Sequence, residues 1–302
     1  MSPTGRFART RRFARRDDVR IVAGLAPLLL SVTALFGTAV GLAVLRSLGV
    51  GPFTASDGPT LAAYRRLLAD PEFLSSVGLT THVAATSTVL AAVLGTASAL
   101  VLHRAVRARR SVTALFGLNL PIPHIIGAVA ILALLGQSGL ISRVATRAGL
   151  LEGPAAFPAL VFDRWAVGII VQYVWKELVF IGIVALAMLR SAGDDLDEAA
   201  RTLGASGWQR LRHVTLPLIL PGVLAAAVIA FAFSFGTFEV PLLLGGSYPA
   251  VLPVLAHRRF TDVDLAARPE AMAIGVVITV LVVLIVVVGA ALARRAVRPD
   301  AT

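Results

Sequence analysis

The sequence predicts an all-α, polytopic membrane protein with six transmembrane helices, and three observations carry that prediction. Of its 302 residues 57% are hydrophobic and only 15% charged, with a strongly positive mean hydropathy, outside the range of soluble domains. The apolar residues gather into six runs of about 20 residues or more, the length a helix needs to cross hydrocarbon with its backbone bonded internally. Of the basic residues, 27 arginines and one lysine, the arginines lie at the ends of these runs. A nucleic-acid binder would show them on one face of a soluble module, so no nucleic-acid partner is expected. Cysteine is absent, which excludes disulfides and thiolate metal sites.

The runs extend approximately from Ile21 to Leu45, Ser75 to Leu102, Val112 to Gly136, Trp165 to Leu189, Leu218 to Leu243 and Ala271 to Ala293. The first follows RFARTRRFARRDDVR, which looks like the charged start of a signal peptide. Its apolar run is too long for one and no convincing cleavage site follows, so it reads as a retained helix. In the third, the prolines of NLPIPHI (Asn119, Pro121, Pro123, His124) predict a bent or delayed start. In the second, Ala91, Gly95 and Ala99 form a small-residue face suited to close packing. The stretches GVGPFTASDGPT, LLEGPAAFP and GGSYPAVLP read as connectors rich in Gly and Pro.

Six alternating helices put the N-terminus, the 103–111 loop, the 190–217 loop and the C-terminus on one side, with 18 of the 27 arginines. The positive-inside bias makes that side cytoplasmic.

The 190–217 interval interrupts the apolar pattern with a structure of its own. Asp194, Asp195, Asp197 and Glu198 favour a helix start, because they face the positive end of its dipole. Gly204 is placed to end that helix, Ser206 to cap a second one, and Pro217 to begin the next membrane helix. Trp208 and Leu211 share one face of the second helix, so the interval presents an aromatic and an aliphatic group to a partner.

Glu198-Ala199-Ala200, Gly204, Val214, Leu216 and Pro217 match an EAA-x3-G-x9-I-x-L-P pattern, with valine for isoleucine. In this the chain resembles the permease subunits of binding-protein-dependent ABC importers. The segment FSFGTFEVPLLLGG, Phe233 to Gly246, is similar to permeases of the spermidine/putrescine type and of related thiamine and iron importers. The resemblance implies a permease fold like that of the methionine importer, a cytoplasmic loop docking on an ABC ATPase dimer, a second permease chain (a heterodimer being favoured), an external solute-binding protein and a bacterial plasma membrane location. It divides the chain into a basic cytoplasmic N-terminus (1–20), a first helix (21–45), a core permease domain (75–293) containing the loop 190–217, and a cytoplasmic tail (294–302). The implied coupling residues are Glu198, Ala199, Ala200, Gly204, Trp208, Leu211, Leu216 and Pro217, the lesser alternative for Glu198 being a role in its own helix start alone.

A phosphate-binding G-x-x-x-x-G-K-[ST] loop needs a lysine, and the single one, Lys176, lies in VQYVWKELVF. The chain is therefore expected to be a non-catalytic transport subunit without a bound cofactor, ATP being used by a separate ATPase. No H-e-x-x-H or G-x-S-x-G pattern suggests a metal or a nucleophile.

Gln172, Tyr173, Lys176 and Glu177 form a polar stripe of about 140° on the fourth helix. Ionisable groups at membrane depth face a cavity, a partner helix or the bundle interior. The stripe therefore either lines the translocation pathway, with Glu177 available to a cationic solute, or is a polar patch at a permease dimer interface. Ser234, Thr237 and Glu239 are further pathway candidates, Glu239 near a kink at Pro241 or simply solvated, while His82 and His124 read as structural. The resulting expectation is an importer permease for a polyamine or other small cation, with thiamine, iron or sulfate as alternatives. A gradient-driven secondary transporter or a membrane-embedded enzyme is the rival, the former disfavoured by the absence of repeated halves.

Overall fold

A computed structural model describes residues 4–51, 58–104, 117–193 and 195–297 of the chain, with side chains from Val22 on apart from 23, 104 and 292–297. The arginines of 105–111, the start of the third run at 112–116, Asp194 and the last five residues lie outside the described residues. The helices are α1 (Thr4–Ser47), α2 (Ala62–Ala69), α3 (Pro71–Arg104), α4 (His124–Leu135), α5 (Leu140–Arg147), α6 (Val167–Ala192), α7 (Asp195–Thr202), α8 (Gly207–Arg210), α9 (Leu216–Gly236), α10 (Glu239–Leu244), α11 (Leu252–Phe260) and α12 (Arg268–Val297).

Six stretches are long and apolar enough to cross a membrane: Gly24–Ser47, Pro71–His103, His124–Arg147, Val167–Ala192, Gly207–Gly236 and Leu265–Ala291. Each contains or overlaps one of the expected runs, with three differences. The third span starts at His124 and continues to Arg147 through a break at Gly136–Gly139. Its late start follows from Pro121 and Pro123, which have no N–H to give a helix and push the residues before them out of the helical region. The fifth ends at Gly236, where Thr237 turns extended, so Glu239 opens the separate helix α10 and does not belong to the fifth span. At its other end Pro217 stands in the first turn of α9, as expected, but the helical path runs on into it without interruption. A π-turn at Leu211–Thr215 joins α8 to α9, with the Leu216 N–H reaching back to the Leu211 carbonyl. The wider turn absorbs the missing proline donor without a break.

α6 is the most buried of the six spans and forms the axis of the molecule. Its start is set by Asp163, whose carboxylate accepts from the N–H groups of Trp165 and Val167 at 2.9 Å. α3 lies against it through the small-residue face, with Ala91 and Ala99 fully buried. A Cβ on Gly95 would stand 2.5 Å from the Leu178 carbonyl and 3.1 Å from the Gly182 nitrogen, so the two helices meet backbone to backbone.

Two apolar clusters mark the ends of the bundle. Leu102, Leu186, Leu189 and Ile219 pack beside the α7–α8 segment, whereas Phe73, Phe235, Leu252, Leu255 and Ile274 pack at the opposite end. The stretches read as connectors adjoin short helices: α2 follows the first, α5 precedes the second, and the third runs into α11, which buries Leu252, Val254 and Leu255. Arg259 of α11 bonds Asp70 at 2.6 Å and approaches Glu270 at 3.5 Å, Arg66 bonds Glu270 at 2.6 Å, and Arg258 lies 3.8 Å from Glu72. These ion pairs tie α2, α11 and the starts of α3 and α12 together.

Candidate functional site

The first candidate site is the elbow formed by α7 and α8. Asp195, Asp197 and Glu198 occupy the first turn of α7, where carboxylates complement the exposed N–H groups. Gly204 adopts φ +81°, and its N–H bonds Arg201 O while that of Ala205 bonds Ala200 O, both at 3.0 Å. This is the left-handed helix stop that glycine permits at least cost. Ser206 caps α8 as the sequence suggests. Gln209 completes a reciprocal capping box, readable in the sequence as S-x-x-Q. Arg210 forms an ion pair with Asp197 across the corner.

Leu203 is 88% exposed and Trp208 65%, so the corner offers two apolar side chains with nothing from their own chain over them. Trp208 was expected there; Leu203 was not singled out, although its place just before the helix-ending glycine makes it a tip residue. Glu198, Ala199 and Pro217 are exposed, and Ala200 and Leu211 half-buried. Leu216 packs on the apolar cluster at that end, and therefore anchors the elbow to the bundle.

The second candidate site is the polar stripe of α6, which divides into two parts. Lys176 Nζ donates to the carbonyls of Asn119 at 2.6 Å and Ile122 at 2.7 Å, and lies 3.4 Å from that of Leu120. In a helix the Asn119 carbonyl would accept from residue 123, but Pro123 has no N–H; the ammonium takes that place. Asn119 Nδ2 bonds Trp175 O at 2.7 Å and Gln172 Nε2 bonds His124 O at 3.2 Å. One face of α6 thus holds the irregular stretch 119–124. Gln172 and Tyr173 are fully buried, inside the bundle and not on an open pathway wall.

Glu177 accepts from the Ser234 hydroxyl of α9 through Oε1. The Thr88 hydroxyl is near it, but neither Thr88 Oγ1 nor Glu177 Oε2 closes a hydrogen bond. Beside Glu177 opens a cavity of about 250 Å3, lined by Leu120, His124, Lys176, Phe180 and Phe233 among others. The His124 and Phe233 rings lie 4.8 Å apart. Thr237 bonds the Phe233 carbonyl of its own helix, and Glu239 is exposed at the start of α10. His82 meets Trp165 edge-on. Of the seven pathway candidates, Lys176, Glu177 and Ser234 come together, whereas Thr237 and Glu239 do not line the cavity, although Thr237 lies beside Tyr173 and Glu239 within electrostatic reach of His124. His124, Phe180 and Phe233 line the cavity without having been expected to.

Six spans around a buried axis, an exposed two-helix elbow at one end and a part-polar cavity within the membrane-spanning region define a transport permease. The chain belongs to the binding-protein-dependent transport system inner membrane component family, whose model matches residues 91–299; it is thus a multi-pass inner-membrane permease of the ABC importer type. It is 37% identical over 224 residues to the molybdenum transport system permease protein ModB of Mycobacterium tuberculosis, covering 72% of this chain and 80% of that one. With the putrescine transport system permease protein PotI of Escherichia coli it shares 28% identity over 83% of each chain. With the trehalose permease SugA of M. tuberculosis the identity is 30%, over 81% of this chain and 78% of that one. The narrower likeness to spermidine/putrescine permeases therefore does not stand out from the family. Among solved structures, a bacterial ABC transporter involved in import of the polysaccharide alginate superposes with TM-score 0.75 at 21% identity, over 96% of this chain and all of that one. The inward-facing methionine ABC transporter MetNI gives 0.56 at 22% identity, over 74% and 96%. At these identities the superpositions establish the fold, which is that of the importer permeases, as the sequence leads one to expect.

Proposed function

We propose that this permease carries a small solute through a pathway shared with a second, different permease chain, driven by an ABC ATPase dimer that seats on the α7–α8 elbow. An external binding protein delivers the solute, and the arginine bias puts both termini and the elbow in the cytoplasm. The observation that carries the reading is the elbow, a capped, ion-paired corner with Leu203 and Trp208 exposed at its tip. Large apolar residues at such a tip are typical interface anchors. The unbroken span Gly207–Gly236, about 45 Å long, joins Trp208 to Phe233 and Ser234 at the cavity, so motion imposed at one end moves the cavity wall.

For the solute, the likeness of Phe233–Gly246 to spermidine/putrescine permeases favours a polyamine or another small cation. Thiamine, iron and sulfate importers share the architecture. A molybdenum oxyanion is the second reading, favoured by the higher identity to ModB.

Affinity purification of the tagged chain from cells that also make its ATPase tests the proposal. The ATPase is expected to co-purify, and W208A combined with L203A to reduce its recovery about tenfold or more at an unchanged permease yield. Failure of the unaltered chain to bring down any ATPase removes the reading.

A further inference from the structure

Resting on the permease reading above, we infer that two loops at the end opposite the elbow form the seat of the external solute-binding protein, with Phe162 as the apolar anchor and Arg164 as the charged one. Backbone strain marks the place. Among the described residues only Phe162, at φ +60°, and Ala166, at φ +55°, adopt a left-handed conformation without being glycine. A residue with a side chain is held there at a cost, so its surroundings must fix it. The Phe162 N–H donates to the Leu244 carbonyl at 2.9 Å, and Asp163 accepts from the N–H groups of Trp165 and Val167. A Cβ on Gly246 would stand 3.3 Å from the Phe162 carbonyl. The 162–166 turn and the 245–250 loop are thus locked together.

The ring held in this way is not part of the core. Ala166 is buried, whereas Phe162, Trp165 and, on the adjoining loop, Tyr248 are all more than half exposed. The Arg164 guanidinium lies over the Trp165 ring at 4.7 Å and makes no ion pair among the described residues. Exposed aromatic rings beside an unpaired arginine have the composition of an interface centre. A membrane belt accounts for tryptophan and tyrosine, whose rings carry a polar tip, but not for a phenylalanine kept in strained backbone. The turn also precedes its span, Val167–Ala192, on the side that the proposed orientation makes external. The partner face it fits has an apolar notch for Phe162 and a carboxylate opposite Arg164.

Binding of the importer's fluorescently labelled binding protein is measured on the complete complex, with its ATPase and companion permease, in lipid nanodiscs. F162A combined with W165A is expected to weaken binding about tenfold or more, and R164E to weaken it most at low salt, with ATPase and companion permease still co-purifying. V263A, exposed at the same end but outside the two loops, is expected to bind as the unaltered chain does. The decisive comparison is F162G with F162A. Both lack the ring, but glycine relieves the backbone, so F162G should bind as weakly as F162A and melt about 2 °C higher. Unchanged binding in the F162A and W165A double variant, loss of the companion permease instead, or F162G melting at or below F162A overturns the inference and leaves the importer reading standing. No binding to the unaltered complex overturns it together with the delivery step of that reading.

Discussion

An ammonium at membrane depth costs several kcal/mol unless its environment replaces water, and Lys176 is held by carbonyls at 2.6 and 2.7 Å. The benefit is mutual, because Pro121 and Pro123 leave the irregular stretch before α4 short of backbone donors and lipid provides none. Lys176 is thus a positioning residue for the wall of the cavity. Replacing it with methionine keeps the apolar stem but removes the ammonium from these carbonyls, leaving Asn119 O only the Ile122 N–H at 3.3 Å. K176M is expected to destabilise the solubilised permease by about 2–5 kcal/mol, read as a fall in melting temperature, with K176R recovering part of the loss. A normal melting temperature combined with abolished uptake would place Lys176 on the solute instead. The sequence shows the lysine and both prolines but not their meeting, since the contacts join residues 54 to 57 positions apart. That is why Lys176 and Glu177, adjacent in one stripe, meet different surroundings: one is held by three backbone carbonyls, the other by the Ser234 hydroxyl with the Thr88 hydroxyl near it.

At the scale of elements, the elbow is useful only if α7 and α8 keep a fixed angle. Gly204 and the Ser206–Gln209 box shape the two ends of the corner, and the Asp197–Arg210 pair closes the triangle. With Arg210 25% and Asp197 46% exposed, this is a partly solvated pair worth about 0.5–1 kcal/mol. D197A or R210A should therefore lower ATP-driven uptake roughly two- to fivefold with little change in membrane insertion, and the exchange D197R with R210D should restore part of it. Equal losses in the single variants and the exchanged pair would remove the brace from the account. The elbow was legible because glycine, serine and acidic residues at helix ends act locally, within a few positions. The end of the fifth span at Gly236 was hidden, because the run resumes as apolar residues from Val240 to Leu244 after only Thr237 and Glu239 have interrupted it. Helix α11 was hidden for a related reason: what folds it is burial of Leu252 and Leu255 against α3 and α12, and its Gly- and Pro-rich approach resembles any loop.

For the whole molecule, the two ends of the bundle differ in the use they make of arginine. At the end of α2 and α11, Arg66, Arg258 and Arg259 are matched with Asp70, Glu72 and Glu270, so these arginines bind elements together. Arg190, Arg201 and Arg212, which flank the elbow, belong with 15 others to the side that alternation assigns to the N-terminus, and the expected orientation rests on that bias. Because the chain contains no cysteine, one introduced thiol reports on one position without background. Val263, 97% exposed between α11 and α12, and Leu203, 88% exposed on the elbow, mark opposite ends. In intact cells a membrane-impermeant maleimide should label V263C and spare L203C, and in inverted vesicles the pattern should reverse. Adding the ATPase to those vesicles should then protect L203C but leave the reagent's access to other inward positions, such as R201C, less affected, since only the apolar tip is covered. Labelling of L203C from outside the cell would invert the orientation, and with it the side from which the elbow can meet an ATPase.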